Sequence, residues 1–376
     1  MSITSLTDLR DPARCPVLVV KLGSALLVGG DGQLRRDWLA GLVGELAQLQ
    51  RAGQKIIIVS SGAIALGAAK LRLGGRGRAS LSDAQAAASV GQVELAGLYS
   101  QVLGAEGLIA AQMLLTLDDL EDRKRYLNAS ATFDRLLDLG AVPVVNENDS
   151  VATEEIRFGD NDRLAARVAQ AARADAVLLF SDVDGLYDRP PEEEGAQLIR
   201  RVDAIDEAIR ASAGPARDGM GTGGMASKLA AAQIATRAGI ALAIANGTHD
   251  LPFSRAVDQD VGTVFTAQDG PGARKGWLGG RLTKSGIIQV DNGCVEALAQ
   301  GASVLAAGIT NVSGDFARGD FVGVANPDGS EIALGLAEYD AETCRALAGK
   351  RQDAQAGILG HAPRNAVIHR DHLVML

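Results

Sequence analysis

The sequence predicts an α/β protein built on a largely parallel sheet and followed by a small β-rich second domain. Three observations carry this expectation. From Pro16 onward, short β-branched apolar runs alternate with amphipathic stretches of helical period. The runs are nearly continuous, as in Lys55-Ile56-Ile57-Ile58-Val59, which suits strands covered by helices on both faces. At Asp269 to Gly280 the chain turns rich in Gly, Pro and Arg, a linker composition, and beyond it the apolar pieces become short and closely spaced. A length of 376 residues also exceeds what one core usually organises.

In chain order, strands are expected at Val17 to Leu22, Lys55 to Ser60, Leu108 to Leu114, Val142 to Asn146, Ala176 to Ser181 and Ile240 to Ala245. Helices are expected between them over 36–51, 83–104, 127–139, 162–173 and 225–238. The second domain is expected to hold strands at Gly286 to Val290, Ser303 to Leu305, Phe321 to Ala325 and Ile332 to Leu336, with one helix near Val295 to Gln300. No internal repeat or low-complexity segment interrupts this order. Ligands of such parallel sheets gather at the strand carboxyl ends, so the residues after each strand are the candidates for function.

Composition removes several function classes. The hydrophobic share of 47% is enough for a core, while charges break every apolar run well short of a bilayer span. A net charge of −9 argues against nucleic acid as the principal ligand. Cys15, Cys294 and Cys344 are widely separated and the N-terminus shows no apolar signal core, so a reduced, cytoplasmic setting is expected, without disulfides or a zinc site. The four histidines, His249, His361, His369 and His372, fall in the last third, which leaves lysines, carboxylates, hydroxyls and amides for chemistry in the rest. Eight lysines stand against 29 arginines, so a lysine in a glycine-rich setting marks a place where a compact ammonium is wanted.

The first strand ends Val19-Val20-Lys21-Leu22-Gly23-Ser24, a lysine followed by a turn whose amides can approach a phosphate. The second ends Ser60-Ser61-Gly62-Ala63-Ile64, which alone reads equally as a serine-capped helix start. Asn146-Glu147-Asn148-Asp149-Ser150 places amides and carboxylates after a buried strand, the mixture a zwitterionic amino acid needs, although asparagine clusters also make ordinary turns. Gly159-Asp160-Asn161-Asp162 opens a helix; one of the three polar residues is expected as its cap, and a spare aspartate could hold nearby lysines. The fifth strand ends Ser181-Asp182-Val183-Asp184-Gly185, a polar strand end or a plain acidic loop. Gly219-Met220-Gly221-Thr222-Gly223-Gly224-Met225-Ala226-Ser227-Lys228 forms a potential anion cradle at a helix N-terminus, with neither Walker A nor dinucleotide-motif spacing. Together these describe phosphoryl transfer by positioning and charge neutralisation. A carboxylate acceptor fits, because it is ionised at neutral pH and needs no general base.

The motifs resemble, in order, those of the amino acid kinase family and within it the glutamate 5-kinases. The resemblance spans residues 16–266 as a catalytic domain of the amino acid kinase fold, an αβα sandwich with a mainly parallel sheet. Residues 285–363 resemble a PUA domain, a small β-rich pseudo-barrel, and 267–284 are left as a linker. The resemblance implies ATP-dependent phosphorylation of the L-glutamate side-chain carboxylate, with Mg2+ on the nucleotide phosphates, at the first step of proline biosynthesis. It assigns Lys21 and Lys228 to the transferring phosphoryl group and Asp162 to holding both. It assigns Ser61, Asn146, Asp149, Asp160 and Asn161 to glutamate, with Asp149 on the ammonium. ATP would meet Lys21, Gly23, Ser181, Asp182, Thr222, Gly223, Gly224, Met225, Ala226, Ser227 and Lys228. Feedback inhibition by proline and a homodimeric or homotetrameric state are further implications, and metal ligands are left unassigned. Ser181 and Ser227 replace a frequent threonine with another hydroxyl, and Ala25 leaves only backbone amides at its turn.

Two rivals follow. A sister kinase could act on N-acetylglutamate, aspartate, carbamate or a nucleotide monophosphate, but an acetylated amine carries no charge for Asp149 to pair. RNA binding through the second domain meets six basic against eleven acidic residues from Ser285 to Leu376, the wrong sign for an RNA footprint.

Overall fold

Lys21 owes its position to a strand sealed on both sides. β1 (Val17–Leu22) is buried from its second residue on, and it pairs in parallel with β2 (Lys55–Ser60) on one side and with β5 (Ala176–Ser181) on the other. The computed structural model describes residues 2–29, 33–151, 160–213, 224–268, 284–364 and 366–376, with only the backbone of Arg76 and Asp160. These fall into two compact units, Met1–Glu121 with Asn128–Asp269, and Asp122–Leu127 with Gly270–Leu376.

After β1 the chain continues through α1 (Ser24–Leu27) and α2 (Arg36–Arg51) to β2, then α3 (Ala63–Leu71), α4 (Leu81–Ala105), β3 (Ala110–Leu115), α5 (Leu117–Glu121) and α6 (Arg123–Asp138), which belongs to the first unit from Asn128 on. β4 (Val142–Glu147), α7 (Asp160–Ala171), β5, β6 (Arg201–Val202), α8 (Glu207–Ser212), α9 (Met225–Arg237), β7 (Ala241–Asn246), α10 (Pro252–Gln259) and β8 (Thr263–Phe265) complete it. The sheet order is β3-β4-β2-β1-β5-β7-β8-β6, parallel except where β7 meets β8. From the neighbours β1 and β5 the chain goes on to opposite sides, to β2 on one and to β6, β7 and β8 on the other, and it is at the carboxyl ends of such a pair that sheets of this kind open a crevice.

Strand alternation builds two apolar layers. Leu18, Val20, Leu22, Ile56, Ile58, Leu178 and Phe180 join Leu39, Leu42, Leu46, Tyr99 and Phe253 in one core. Each such buried side chain contributes about 1.5–3 kcal/mol before entropy is counted. Val19, Ile57 and Leu179 point the other way and are equally buried, on the side where α7 lies against β1 and β5. Lys21 shares that second face by its even spacing from Val19.

α2 matches the expected 36–51, and β1, β2 and β5 match residue for residue. β3 begins two residues later than expected, at Ala110, because Leu108 closes the α4 terminus by bonding to the Leu103 carbonyl. The helix start read at Ser60 to Ile64 is α3, but its cap is Gly62 rather than a serine, with no side-chain cap bond. It is Ala-, Gly- and Leu-rich with no polar stripe to set a period, and it packs on α4 through glycine: a Cβ on Gly67 would lie 1.8 Å from the Ala87 oxygen, and one on Gly91 1.8 Å from the Ala63 oxygen. The linker composition at 269–283 lies outside the described residues.

The second unit holds β9 (Gly286–Val290), α11 (Asn292–Ala299), β10 (Ile309–Gly314), β11 (Phe321–Ala325), β12 (Glu331–Leu336), α12 (Ala341–Leu347), α13 (Gln352–Leu359) and β13 (Leu373–Met375). Its sheet order is β10-β9-β11-β12-β13, with β9 and β11 parallel and the other pairs antiparallel. The strand expected at Ser303 to Leu305 is corrected to a single bridge from Val304 to Ile368, and the edge strand forms at Ile309–Gly314 instead. The helix expected at Val295 to Gln300 starts earlier, at Asn292, because the Asp291 carboxylate caps it by accepting from the Cys294 amide at 2.7 Å. Among the described residues no helix is long and apolar enough to cross a membrane.

Candidate active site

The centre of the site is one carboxylate between two ammonium groups. Lys21 comes from the end of β1, Asp162 from the first turn of α7 and Lys228 from the first turn of α9. Lys21 Nζ lies 2.6 Å from Asp162 Oδ1, and Lys228 Nζ donates to Asp162 Oδ2 at 3.0 Å. All three are buried, Asp162 completely. Among the described side chains, these two ammoniums share this carboxylate in a water-poor place, a setting that favours an anion.

The electrostatics follow from that crowding. Burial pushes the Lys21 pKa down and repulsion from Lys228 adds to it, against the pull of Asp162; the result stays below the ordinary lysine value. Burial would raise the Asp162 carboxyl, but the charges and hydrogen bonds of Lys21 and Lys228 outweigh it and hold the carboxyl below its usual range. Gly23 lies beside this cluster, where a Cβ would sit 3.8 Å from Lys21 Nζ.

A second, uncharged group adjoins the first through α7. Asn161 Nδ2 donates to Ser61 Oγ at 2.6 Å, to the Ser60 carbonyl at 3.0 Å and to Asn146 Oδ1 at 3.3 Å. Asn146 Nδ2 donates in turn to Gln92 Oε1 at 2.8 Å. α7 opens at Asp160, so Asn161 and Asp162 lie inside its first turn. The cap expected of this trio is corrected for these two, whose side chains reach across to β2, β4 and the lysines instead. Behind Ser61, the buried Tyr99 hydroxyl donates to Ser60 Oγ at 2.9 Å, and Gly62 takes φ +110°, a turn that favours glycine.

Asp149 is buried after β4. Its charge supports the nearby Arg78 guanidinium, whose pKa burial pushes down. At the end of β5, Ser181 Oγ donates to Asp182 Oδ1 at 3.1 Å, and Asp182 adds a weak favourable field at Lys21. Half-buried Asp184 accepts from Asn246 Nδ2 at 2.9 Å and from the Tyr187 hydroxyl at 3.3 Å, tying the ends of β5 and β7. Gly224 is the N-cap of α9 and Met225, Ala226, Ser227 and Lys228 form its first turn, so backbone amides face the approach to Lys228 without a capping side chain. Thr222 and Gly223, and the side chain of Asp160, lie outside the described residues. Reasoning from the sequence missed Gln92, Arg78 and Tyr99. Gln92 had one usable signal, the Gly91-Gln92 pair within an otherwise Ala-rich helix.

Comparison with known proteins gives these arrangements a context. A model of the amino acid kinase family matches residues 16–246, and a model of the PUA domain matches residues 286–357. A glutamate 5-kinase of Sphingopyxis alaskensis is 59% identical over 366 residues, covering 97% of this chain and 99% of its own length. One from Novosphingobium aromaticivorans is 57% identical over the full length of both chains, 377 aligned residues. Another, from Zymomonas mobilis, is 55% identical over 97% of this chain and 92% of its own.

Proposed function

The chain belongs to the amino acid kinase family, and on that premise we propose that it is a glutamate 5-kinase, transferring the γ-phosphoryl group of ATP to the side-chain carboxylate of L-glutamate in proline biosynthesis. An oxygen of that carboxylate attacks the γ-phosphorus, the bond to the β-γ bridging oxygen breaks, and ADP leaves; the product is the acyl phosphate L-glutamyl 5-phosphate. No proton moves in this step. That agrees with a site whose described side chains include lysines, amides and hydroxyls but no histidine.

The observation that carries the reading is the Lys21–Asp162–Lys228 cluster at the crevice where the sheet order reverses. A phosphoryl group in flight spreads negative charge over its equatorial oxygens. Two ammoniums fixed on one aspartate meet that charge without having to reorganise. Ser61, Asn146 and Asn161 supply neutral hydrogen bonds for glutamate and Asp149 the negative charge for its ammonium, with Asp160 a further glutamate contact. Gly23, Ser181, Asp182 and the run from Thr222 through Gly223, Gly224, Met225, Ala226 and Ser227 to Lys228 hold the nucleotide. Mg2+ would supply further charge neutralisation along the phosphates; among the described residues no three acidic, His or Cys side chains gather into a cage, so it would enter on the nucleotide. Residues 16–266 form the catalytic domain, 267–284 the linker and 285–363 the PUA domain. The enzyme works in the cytoplasm as a homo-oligomer, dimer or tetramer, with proline as a feedback inhibitor.

The test is ADP release with ATP and Mg2+ across L-glutamate, N-acetylglutamate, L-aspartate and carbamate, with hydroxylamine present to trap acyl phosphate. Glutamate-dependent hydroxamate that disappears in Lys228→Ala is expected. Turnover of another acceptor with silence on glutamate would overturn the substrate, and turnover retained in Lys228→Ala would overturn the role of the cluster.

A further inference from the structure

We propose that Gln92 is a positioning residue for the acceptor: it holds the Asn146 amide in the orientation that glutamate meets. The inference rests on the glutamate reading above. An asparagine amide presents an oxygen at one corner and two hydrogens at the other, and a half-turn exchanges them. Asn146 is only 2% exposed, so neighbours rather than water decide which corner faces where. Its Nδ2 is held by Gln92 Oε1 at 2.8 Å, and its Oδ1 receives Asn161 Nδ2 at 3.3 Å. Turning the Asn146 amide would set its NH2 against the Asn161 NH2 and, with Gln92 kept as it is, its oxygen against the Gln92 oxygen.

Asn161 does not compete for the opposite choice. Its Nδ2 faces three acceptors, Ser61 Oγ, the Ser60 carbonyl and Asn146 Oδ1, and shares two hydrogens among them, so it reaches Asn146 as a donor. Gln92 is then the one acceptor among the described residues that fixes the far side of the chain of amides. The result is directional: Asn146 keeps a second Nδ2 hydrogen, and a hydrogen-bond donor is what an anionic carboxylate requires.

Helix packing explains how a residue on α4 reaches the end of β4. Gly91, adjacent to Gln92, brings α4 into backbone contact with α3, because a Cβ there would meet the Ala63 oxygen at 1.8 Å. Ser61 stands two residues before Ala63, so the seam that sets the height of Gln92 also sets that of the serine at the other end of the amide chain. Gln92 is half-buried, and its Nε2 donates to no partner among the described residues.

Steady-state kinetics of a double-mutant cycle test this, using Gln92→Met, Asn146→Ala and the pair in the full-length enzyme. Gln92→Met is expected to raise KM for glutamate about tenfold, equivalent to about 1.4 kcal/mol, with kcat and KM for ATP within about twofold. In the Asn146→Ala background the same change should add nothing. Gln92→Glu keeps an acceptor oxygen and should stay closer to the unaltered enzyme than Gln92→Met, and it decides the matter if the methionine variant does not fold. An unchanged glutamate KM, or an equal penalty with and without Asn146, overturns the assignment. Failure of the unaltered enzyme to turn over glutamate would instead strike the reading on which it rests.

Discussion

Asp162→Asn removes one negative charge and almost no volume from the centre of the site, so its consequences are electrostatic. In the unaltered protein the two ammoniums lie 2.6 and 3.0 Å from opposite oxygens of a completely buried carboxylate. Without that charge their mutual repulsion, at most about 4 kcal/mol for unit charges roughly 4 Å or more apart at an effective dielectric near 20, is no longer offset by Asp162. Removing one partner of a buried ionic group usually costs about 3–5 kcal/mol, so a fall in melting temperature on the order of 10 °C is expected. Asp162 raises the Lys21 pKa against burial and Lys228, so its loss lets that pKa fall further. The ammonium then deprotonates at lower pH, and the alkaline limb of the kcat/KM profile moves toward neutrality. On the acid side the sign is opposite. The lowered Asp162 pKa gives the unaltered protein stability that is present above the ordinary aspartate range and lost as pH falls through the lowered value. The variant lacks that acid-linked component. With both cations displaced, kcat/KM should drop about 100-fold or more. Calorimetry and pH-rate profiles read all of this, and an alkaline limb that stays in place with stability intact would refute the electrostatic account.

Two further substitutions separate packing from chemistry. Gly91→Ala should gain about 1 kcal/mol of helix propensity but must relieve a 1.8 Å approach to the Ala63 oxygen. Overpacking of that kind costs about 1–3 kcal/mol or more, so a lower melting temperature and a higher glutamate KM are expected, whereas a higher melting temperature would contradict the seam. Glu45→Ala tests a remote cap: the buried Glu45 carboxylate on α2 accepts from the Phe253 and Ser254 amides at 3.1 and 2.7 Å, the first turn of α10. Orphaning both amides should cost about 2–4 kcal/mol in denaturant unfolding while glutamate and ATP KM values hold; a change in either KM would contradict a purely structural role.

The charged half of the site is legible in the sequence because each of its residues announces itself locally. Lys21 ends an apolar run, Asp162 opens a helix, and Lys228 follows the densest glycine run of the chain. The neutral half is only partly legible. Asn146 and Asn161 sit in polar clusters that draw notice, but Gln92 lies 54 residues from Asn146 and becomes relevant only through the α3–α4 contact. Periodicity could not supply that contact, since α3 has no polar face from which a helical period could be read. The same limit explains β10, an edge strand burying only Ile309 and Val312, whose Thr, Asn and Ser residues read as loop. β13 likewise pairs with β12 from 37 residues along the chain, Leu373 opposite Gly335 and Val374 opposite Leu334.

The two halves meet in consecutive residues of one helix turn, and this gives α7 its importance. Successive residues of an α-helix point about 100° apart, so Asn161 and Asp162 necessarily face different surroundings. Asn161 turns toward the hydroxyl and amides of β2 and β4, Asp162 toward the ammoniums of β1 and α9. On the proposed reading, the spacing between acceptor and phosphoryl group is therefore set by the pitch of a single backbone turn rather than by two independently placed loops. Rotating α7 by one residue would put an amide between the lysines and a carboxylate against Ser61 and Asn146. That arrangement would take the Asp162 charge away from both lysines and, on the proposed reading, place a negative charge where glutamate brings its own.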